Sequence, residues 1–217
     1  MMESSKKQFA IFLKKKNIFK HHNLWSTNNS VSQDMSSDSK LNKTRQNRIM
    51  CGIREPILND ENKFILAMQH SQALHHPWVA SPKTSEEFKN YYQRSQQNNQ
   101  KSFLVLNQTE DITGVFNINE IIRGFFQNAY LGFYAVADYA GQGYMSAGLK
   151  LVLQHVFEEM GLHRLEANIQ PGNTLSINLV KNNRFRQEGY SPHYLKINNK
   201  WCDHERWAIT YEDWCVI

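Results

Sequence analysis

The sequence predicts a mixed α/β fold in which helices cover one central sheet. Two strand-like segments at 102–107 and 113–120 flank a short polar turn, which predicts a hairpin. A nearly all-apolar run at 129–136 is typical of a strand covered on both faces. Apolar residues then recur at helical spacing over 144–160, and another strand is predicted at 164–170. A hairpin followed by strand, helix and strand therefore indicates one mixed sheet.

The remaining elements follow from capping and turn signals on either side of this centre. A short strand is predicted at 51–55, followed by a helix that begins near Asn59. The pattern from Thr84 to Glu87 is a capping box, which predicts that a second helix begins there. A helix and two strands are predicted beyond residue 170, at 174–182, 187–197 and 207–210.

Composition favours a folded domain and excludes several other classes of protein. Of the 217 residues, 41% are apolar, which is enough for a buried core and excludes a disordered, collagen-like or coiled-coil chain. No unbroken apolar run exceeds five residues, whereas a membrane-spanning helix needs about 20, so we expect no stable membrane insertion. Cys51, Cys202 and Cys215 lack the spacing of a zinc site, so we expect reduced thiols in a cytoplasmic protein.

The excess of positive charge is confined to the first 49 residues. Residues 1–49 hold ten Lys or Arg and three Asp or Glu, whereas residues 50–217 hold 15 and 17. The first segment is dense in Ser, Asn, Gln and Lys, so we predict a disordered basic extension at 1–49 and one folded domain at 50–217. Lysines alternate with apolar residues over 6–20, as in a basic helix that touches anionic lipid or RNA. The alternative, which we favour, is a nonfunctional extension upstream of Met50, where translation could begin.

A glycine-bearing bend at 139–145 connects the buried strand to the long helix. Gly141 and Gly143 let the backbone turn sharply, so that free N–H groups at the helix start face outward. Such amides form a cradle for phosphate at the positive end of the helix dipole. A Walker loop is excluded because no Gly-Lys-Ser/Thr follows, and a dinucleotide fingerprint lacks its third glycine, since Ser146 occupies that position. Glu166 lies about 20 residues further on, which keeps a dinucleotide site open.

Six segments in a fixed order carry a resemblance to a known family. They are LHHPWV at 74–79, GVFNINE at 114–120, YAGQGYM at 139–145, HRLEA at 163–167, QPGNTLS at 170–176 and DHERW at 203–207. Through them, residues 50–217 resemble the GNAT superfamily of acyl-CoA N-acyltransferases, in particular its Rim-type ribosomal-protein-alanine N-acetyltransferases. Only Gly143 fits the strict family pattern Gln/Arg-x-x-Gly-x-Gly/Ala. Arg184 stands where the family often has glycine before Phe185; if that glycine has a positive φ, either Arg184 adopts strained backbone or the turn differs.

The resemblance implies a mostly antiparallel sheet of about six to seven strands with flanking helices, and acetyl-CoA as cosubstrate without a metal. It implies direct acetyl transfer to a primary amine, in particular the N-terminal α-amine of a protein such as a ribosomal protein, by a monomer or homodimer that could associate with the ribosome. His75, His76 and Trp78 would flank the acceptor groove, and we expect a structural role for Asp203 and His204. The alternatives are a small amine as acceptor, and a noncatalytic CoA-binding or RNA-associated module.

The resemblance also implies roles for individual residues. Ser176 would protonate the departing thiolate, and the base that deprotonates the amine would be Glu120 or His193. The Val136 N–H would donate to the oxyanion. The residues that would hold acetyl-CoA are Ala135, Val136, Gly141, Gln142, Gly143, Tyr144, Met145, Asn173 and Ser176.

Overall fold

The computed structural model describes residues 24–25 and 49–216, which build a sheet of eight strands. The strands are β1 (Leu24–Trp25), β2 (Gly52–Arg54), β3 (Lys101–Leu106), β4 (Ile112–Ile122), β5 (Asn128–Ala135), β6 (Arg164–Ile169), β7 (Arg186–Ile197) and β8 (Lys200–Thr210). Their spatial order is β1-β2-β3-β4-β5-β6-β8-β7, and all neighbours are antiparallel except β5 and β6. Seven strands lie within 50–217, which confirms the predicted mostly antiparallel sheet.

The N-terminal segment contributes one strand that the sequence does not predict. β1 pairs with β2 through Leu24↔Ile53 and Trp25↔Gly52, at one edge of the sheet. The helix considered for residues 6–20 and most of the extension predicted to be disordered lie outside the described residues.

Helices cover both faces of the sheet. The α-helices are α1 (Glu61–His70), α2 (Gln72–His75), α3 (Ser85–Ser95), α4 (Tyr144–Gln154), α5 (Thr174–Asn182) and α6 (Tyr211–Cys215). Two 3-10 turns, at Leu58–Asp60 and Ala137–Tyr139, precede α1 and α4, and a π-helical turn at His155–Glu159 extends α4. In the part of the chain that the structure describes, none of these helices has the length and hydrophobicity needed to cross a membrane.

Local sequence signals account for several helix ends. The Thr84 hydroxyl accepts from the Glu87 N–H at 3.2 Å, and the Glu87 carboxylate accepts from the Thr84 N–H at 3.1 Å, which is the predicted capping box. Gly161 ends the long helical segment in left-handed backbone, with φ of 63°. Arg184 has φ of 68° after α5, so the left-handed backbone is present at this position and is adopted by a residue other than glycine.

β8 is longer than the sequence predicts. It begins at Lys200 rather than at 207, because Asn198 and Asn199 adopt left-handed backbone, with φ of 47° and 63°, and turn the chain back along β7. Residues 200–206 are largely polar and give no strand-like hydrophobic pattern. The short helices α2 and α6 are likewise missed, since four or five residues are too few to show a helical period.

Two apolar clusters fill the space between the sheet and its helices. Val115 and Phe116 are neighbours on β4 but belong to different clusters, because successive side chains of a strand point to opposite faces. The cluster under α4 and α5 includes Phe116, Leu149, Val152 and Leu165, and the cluster against α1 and α3 includes Phe64, Met68, Phe88 and Val115. The sheet is therefore buried on both faces.

α4 approaches the sheet closely at Gly148. A Cβ added there would lie 2.7 Å and 2.9 Å from the two γ-methyl carbons of Val105 and 3.3 Å from the ring of Phe116. Packed carbon atoms prefer about 3.5–4.0 Å. Glycine at this position therefore sets the spacing between α4 and the sheet, and with it the position of the helix start.

Gly148→Ala is expected to lower the free energy of unfolding by about 1–3 kcal/mol, because overpacking outweighs the ~1 kcal/mol by which alanine is the better helix former. Chemical denaturation of the variant and the wild type measures this difference. Adding Val105→Ala removes the clash, so the double variant should lose less stability than the sum of the two single losses. Additive losses would contradict the contact.

Candidate active site

The two central strands separate after three residue pairs. β5 and β6 pair in parallel from Asn128↔Arg164 to Tyr130↔Glu166, and their pairing ends there. β5 continues to Ala135 and β6 to Ile169. A cavity of about 440 Å³ lies between these diverging ends and the starts of α4 and α5. Its volume falls within the ~300–1,000 Å³ typical of small-molecule sites.

The inner edge of β5 carries backbone groups that no neighbouring strand of the described chain occupies. The Val136 N–H donates to the Thr113 carbonyl next to β4 at 3.0 Å, which fixes the alternation along the strand. Successive residues direct their N–H and C=O groups to opposite edges, so those of Phe133 and Ala135 point to the β6 side, where pairing has ended. The hypothesis that the Val136 N–H stabilises the oxyanion is therefore wrong, because that donor is engaged in the sheet. The Phe133 and Ala135 amides face the cavity instead, and both residues line it.

The glycine-bearing bend presents free amides at the start of α4. Gly141 and Gly143 adopt left-handed backbone, with φ of 75° and 88°. The first helical hydrogen bond runs from the Ala147 N–H to the Gly143 carbonyl. The N–H groups of Tyr144 and Met145 therefore precede the hydrogen-bonded turns, and no side chain of the described residues caps them. These donors and the helix dipole form a cradle suited to an anion.

The side chains of the bend contribute less than its backbone. Gly141, Gly143 and Met145 line the cavity. Gln142 is exposed, and its amide donates to the Asp138 carbonyl at 2.9 Å, away from the cavity. Ala140 lines the cavity with only a methyl group, which cannot donate to an anion. Recognition of an anion here depends on main-chain donors.

The start of α5 brings two predicted residues to the cavity. The Asn173 side chain accepts from the Ser176 N–H at 3.1 Å and so caps the helix. Both side chains line the cavity. Within the described part of the chain, the Ser176 hydroxyl has no hydrogen-bond partner, and the Asn173 amide keeps its two N–H donors. Asn173 can therefore cap α5 and donate to a ligand at once.

The structure does not bring Glu120 or His193 to the cavity. Both are exposed, and each adopts left-handed backbone, with φ of 49°, at an irregularity of its strand. The His193 N–H donates to Asp203 at 2.8 Å, and the Tyr190 hydroxyl donates to the same carboxylate at 2.5 Å. The Tyr190 hydrogen bond and then the His193 N–H lower the pKa of Asp203. Asp203 therefore fastens the bulge that directs His193 into solvent.

His75 is a buried residue of the cavity wall. Its Nε2 lies 2.8 Å from the Ala135 carbonyl and its Nδ1 lies 2.9 Å from the Ser81 hydroxyl. Because a carbonyl only accepts, Nε2 carries the proton and Nδ1 accepts from Ser81. Burial lowers the pKa of His75, and the hydrogen bond to Ala135 offsets only part of this effect. A neutral His75 thus holds the end of β5 in place.

Two residues without a sequence-based site assignment, Asn168 and His204, also line the cavity. His204 is 3% exposed, and its Nδ1 lies 2.9 Å from the Cys202 carbonyl. The Asn168 side-chain oxygen is buried with no hydrogen-bond partner among the described residues. No hydrophobic pattern in the sequence marks either residue, since both neighbours of Asn168, Ala167 and Ile169, are buried and His204 lies in the polar stretch 200–206.

Glu166, which a dinucleotide site would require at a strand end, lies within β6. Its carboxylate accepts from the Asn128 amide at 3.0 Å and from the Arg164 guanidinium at 2.9 Å. The first of these hydrogen bonds joins β5 to β6 where the two strands still pair, and the second lies within β6. Glu166 therefore stabilises the sheet, and the dinucleotide alternative loses its ribose-binding acid.

The family of the chain follows from comparison with known proteins. Residues 52–186 match the model of the acetyltransferase (GNAT) domain. The chain belongs to the GNAT family of acetyltransferases. The mixed sheet and the resemblance found in the sequence agree with this membership.

Similar proteins include curated and solved members of this family. YjcK of Bacillus subtilis, a probable N-acetyltransferase, is 32% identical over 124 residues, which cover 57% of this chain and 68% of YjcK. The [ribosomal protein uS5]-alanine N-acetyltransferase of Escherichia coli is 34% identical over 105 residues, 48% of this chain and 54% of that enzyme. The chain thus spans about half the length of that relative.

Two solved structures share the fold. RimJ of Mycobacterium smegmatis, in complex with CoA-disulfide, has a TM-score of 0.70 at 23% identity. The match covers 76% of this chain and 83% of the RimJ chain. A chimera of the spermidine N-acetyltransferase SpeG from Vibrio cholerae and hSSAT has a TM-score of 0.66 at 17% identity. That match covers 76% of this chain and 98% of the chimera. At these identities the similarity concerns the fold alone.

The anion cradle can be tested at Gly141 by charge alone. A Cβ at Gly141 meets no atom of the described residues within 4 Å, and Asn and Asp both tolerate left-handed backbone better than other residues. Gly141→Asp is expected to weaken acetyl-CoA binding at least ~10-fold relative to Gly141→Asn, because only the carboxylate repels phosphate. Isothermal calorimetry of both variants measures the difference.

Gly143 is unsuitable for this test, because a Cβ there would lie 2.4 Å from Ile49 and confound charge with packing. Equal affinities of Gly141→Asp and Gly141→Asn would show that the diphosphate does not lie at this bend.

The lowered pKa of His75 predicts a pH-dependent contribution to stability. The unfolded chain titrates near ~6.5 and the folded chain below it, so as pH falls below ~6.5 the unfolded state binds more protons and folding loses free energy. His75→Gln should therefore be less stable than wild type at about pH 8, by a margin that shrinks towards about pH 5. Urea denaturation across this range measures the margin. His70→Gln, at an exposed position of α1, is the control, and a margin independent of pH would contradict the assignment.

Proposed function

We propose that the protein transfers the acetyl group of acetyl-CoA to the α-amine of a protein or peptide N-terminus. The observation that carries the proposal is the cavity between β5 and β6, which joins the amides of the glycine-bearing bend to the Ser176 hydroxyl. Membership of an acetyltransferase family supports the reaction class. The names of the relatives from Escherichia coli and Bacillus subtilis are consistent with it.

The residues of the cavity fit acetyl-CoA. The Tyr144 and Met145 amides suit a diphosphate, and the free edge of β5 at Phe133 and Ala135 offers the donors and acceptors that the amide groups of a pantetheine arm require. Asn173 adds a side-chain amide at the opposite wall. When bound, acetyl-CoA supplies a thioester whose carbonyl carbon is open to attack by an amine.

Ser176 is positioned to supply a proton to the leaving sulfur. Its hydroxyl is free of protein partners in the described part of the chain and lines the cavity at the start of α5. The helix N-terminus stabilises negative charge beside it. A hydroxyl at this point can donate to a developing thiolate and recover its proton from the amine.

The cavity favours a singly charged or neutral acceptor. Among the described residues that line it, none is Asp, Glu, Lys or Arg. A polyamine carries several ammonium groups, and each would need a carboxylate or water to offset its desolvation. An α-amine has a pKa of about 7.7–8.0, against about 10.4 for lysine, and so sheds its proton more readily. Leu74, Trp78 and Val79 provide an apolar wall for the first side chain of a peptide.

Two other functions remain as alternatives. A small-molecule amine acetyltransferase would share the cofactor site and differ only in acceptor, as the spermidine-directed name of the solved SpeG chimera illustrates. A noncatalytic CoA-binding or RNA-associated module would bind acetyl-CoA without releasing thiol. The basic residues of 1–49 are the feature that favours association with RNA or a ribosome.

An acceptor screen with the full chain distinguishes these functions. Peptides that begin with alanine or serine should release CoA thiol and gain one acetyl group at the α-nitrogen, as located by mass spectrometry. A peptide with a blocked N-terminus and an internal lysine is the matched control. Spermidine should show a kcat/KM at least ~10-fold lower. Thiol release with spermidine alone would support the small-amine alternative, and binding without any release would support the noncatalytic module.

Ser176→Ala is expected to lower kcat about 100-fold while leaving acetyl-CoA affinity nearly unchanged, because the hydroxyl acts on the leaving group. Thr174→Ala removes an exposed hydroxyl from the same helical turn and serves as the control. Steady-state kinetics and calorimetry on both variants separate the two effects. An unchanged kcat in Ser176→Ala would remove this residue from the mechanism.

A further inference from the structure

Acetyl transfer requires a base at the cavity, and the described lining offers few groups that could act as one. No carboxylate is among the described residues of the wall, so the candidates are tyrosine and histidine. The Tyr139 hydroxyl donates to Asp111 at 3.1 Å. Burial raises the pKa of Tyr134 and of Tyr139, so both phenols stay protonated near neutrality. The base must therefore be a histidine, either His75 or His204.

His75 is excluded because both of its ring nitrogens are engaged. One bonds to the Ala135 carbonyl and the other to the Ser81 hydroxyl, at 2.8 Å and 2.9 Å. Accepting a further proton would break the Ser81 hydrogen bond in a buried setting, which is costly. His75 thus shapes the cavity and does not exchange protons within it.

His204 differs from His75 in having one nitrogen free. Its Nδ1 lies 2.9 Å from the Cys202 carbonyl, which can only accept, so the proton of the neutral ring resides on Nδ1. Nε2 then carries a lone pair, and no residue of the described chain bonds to it. The side chain is 3% exposed and lines the cavity. Alternation along β8 explains this, because Asp203 faces the β7 bulge and His204 faces inward.

Asn168 provides a second observation at the same wall. Its side-chain oxygen is buried and has no partner in the described residues, which is costly unless a ligand donates to it. β6 and β8, which carry Asn168 and His204, are adjacent strands, and both residues line the cavity. An ammonium or amine group could donate hydrogen bonds to both the Asn168 side-chain oxygen and the His204 Nε2.

We infer that His204 is the general base of the acetyl transfer and that Asn168 orients the acceptor amine beside it; the inference rests on the proposed function. The acceptor enters as R–NH3+ and gives one proton to Nε2. The nitrogen lone pair bonds to the acetyl carbon, and the C–S bond breaks with its electron pair passing to sulfur. The nitrogen loses a second proton, which balances the proton that the sulfur receives through Ser176. The imidazolium releases its proton to water, so the products are the amide, CoA thiol and one proton.

The test compares two histidines. His204→Gln should lower kcat about 100-fold or more, the usual contribution of a general base, while acetyl-CoA affinity stays within twofold of wild type. His193→Gln removes the exposed histidine that sequence resemblance suggested, and its kcat should stay within twofold. A loss confined to His193→Gln, or an unchanged kcat in His204→Gln, would overturn the inference. The acceptor is whichever amine the screen identifies.

A measurement on the wild-type protein covers the case in which His204→Gln fails to fold. Long-range ¹H–¹⁵N correlation of the histidine rings reports which nitrogen carries the proton. The inference requires His204 to be protonated at Nδ1 and bare at Nε2 near neutral pH, and an Nε2–H form would overturn it. This spectrum needs no acceptor. If no amine is acetylated, the proposed function fails, whereas the spectrum still decides whether His204 has a free basic nitrogen.

Discussion

The site depends on the separation of β5 from β6. The two strands pair over only three positions, where the Asn128 amide of β5 donates to the Glu166 carboxylate of β6. Beyond this point β6 no longer pairs with this edge of β5. Backbone N–H and C=O groups left unpaired in a protein interior cost free energy. His75 satisfies the Ala135 carbonyl, while the remaining groups of the edge are available to a ligand. The same divergence leaves room for the starts of α4 and α5 to reach the cavity, so the opening and its donors have one structural cause.

The lack of charged side chains along the described wall of the cavity determines what it can bind and how it can react. Recognition of phosphate depends on main-chain amides and a helix dipole, neither of which titrates. In the proposed mechanism a histidine takes the proton of the acceptor amine, and the two histidines of the described wall differ in the hydrogen bonds of their rings. A carbonyl fixes the tautomer of each ring, at Nε2 in His75 and at Nδ1 in His204. Ser81 bonds to the second nitrogen of His75, whereas no residue of the described chain bonds to that of His204.

The sequence predicts most of the fold because its signals are local. Thr84 and Glu87 cap a helix, and Gly141 and Gly143 place the bend. The site is less predictable, since it depends on which residues of each strand direct their side chains and backbone amides towards the cavity. Val136 and Ala135 are adjacent, and only the hydrogen bond to Thr113 shows which of them directs its amide to the cavity. His204 lies in a polar stretch of β8 that gives no hydrophobic alternation, so its inward direction is set by pairing with β6 and β7.

Irregularities in two strands explain why the predicted bases face solvent. A residue added to one strand of an antiparallel pair shifts the phase of the residues beyond it, so a side chain expected on one face emerges on the other. Register shifts occur in β4 between Asn119 and Ile122 and in β7 between Ser191 and Leu195. Glu120 and His193 lie within these shifts in left-handed backbone. Sequence similarity can align such residues with catalytic positions, but their direction depends on a bulge that similarity does not reveal. Asp203 holds the β7 bulge from one face of β8, and the next residue of that strand, His204, lies on the face where the cavity forms.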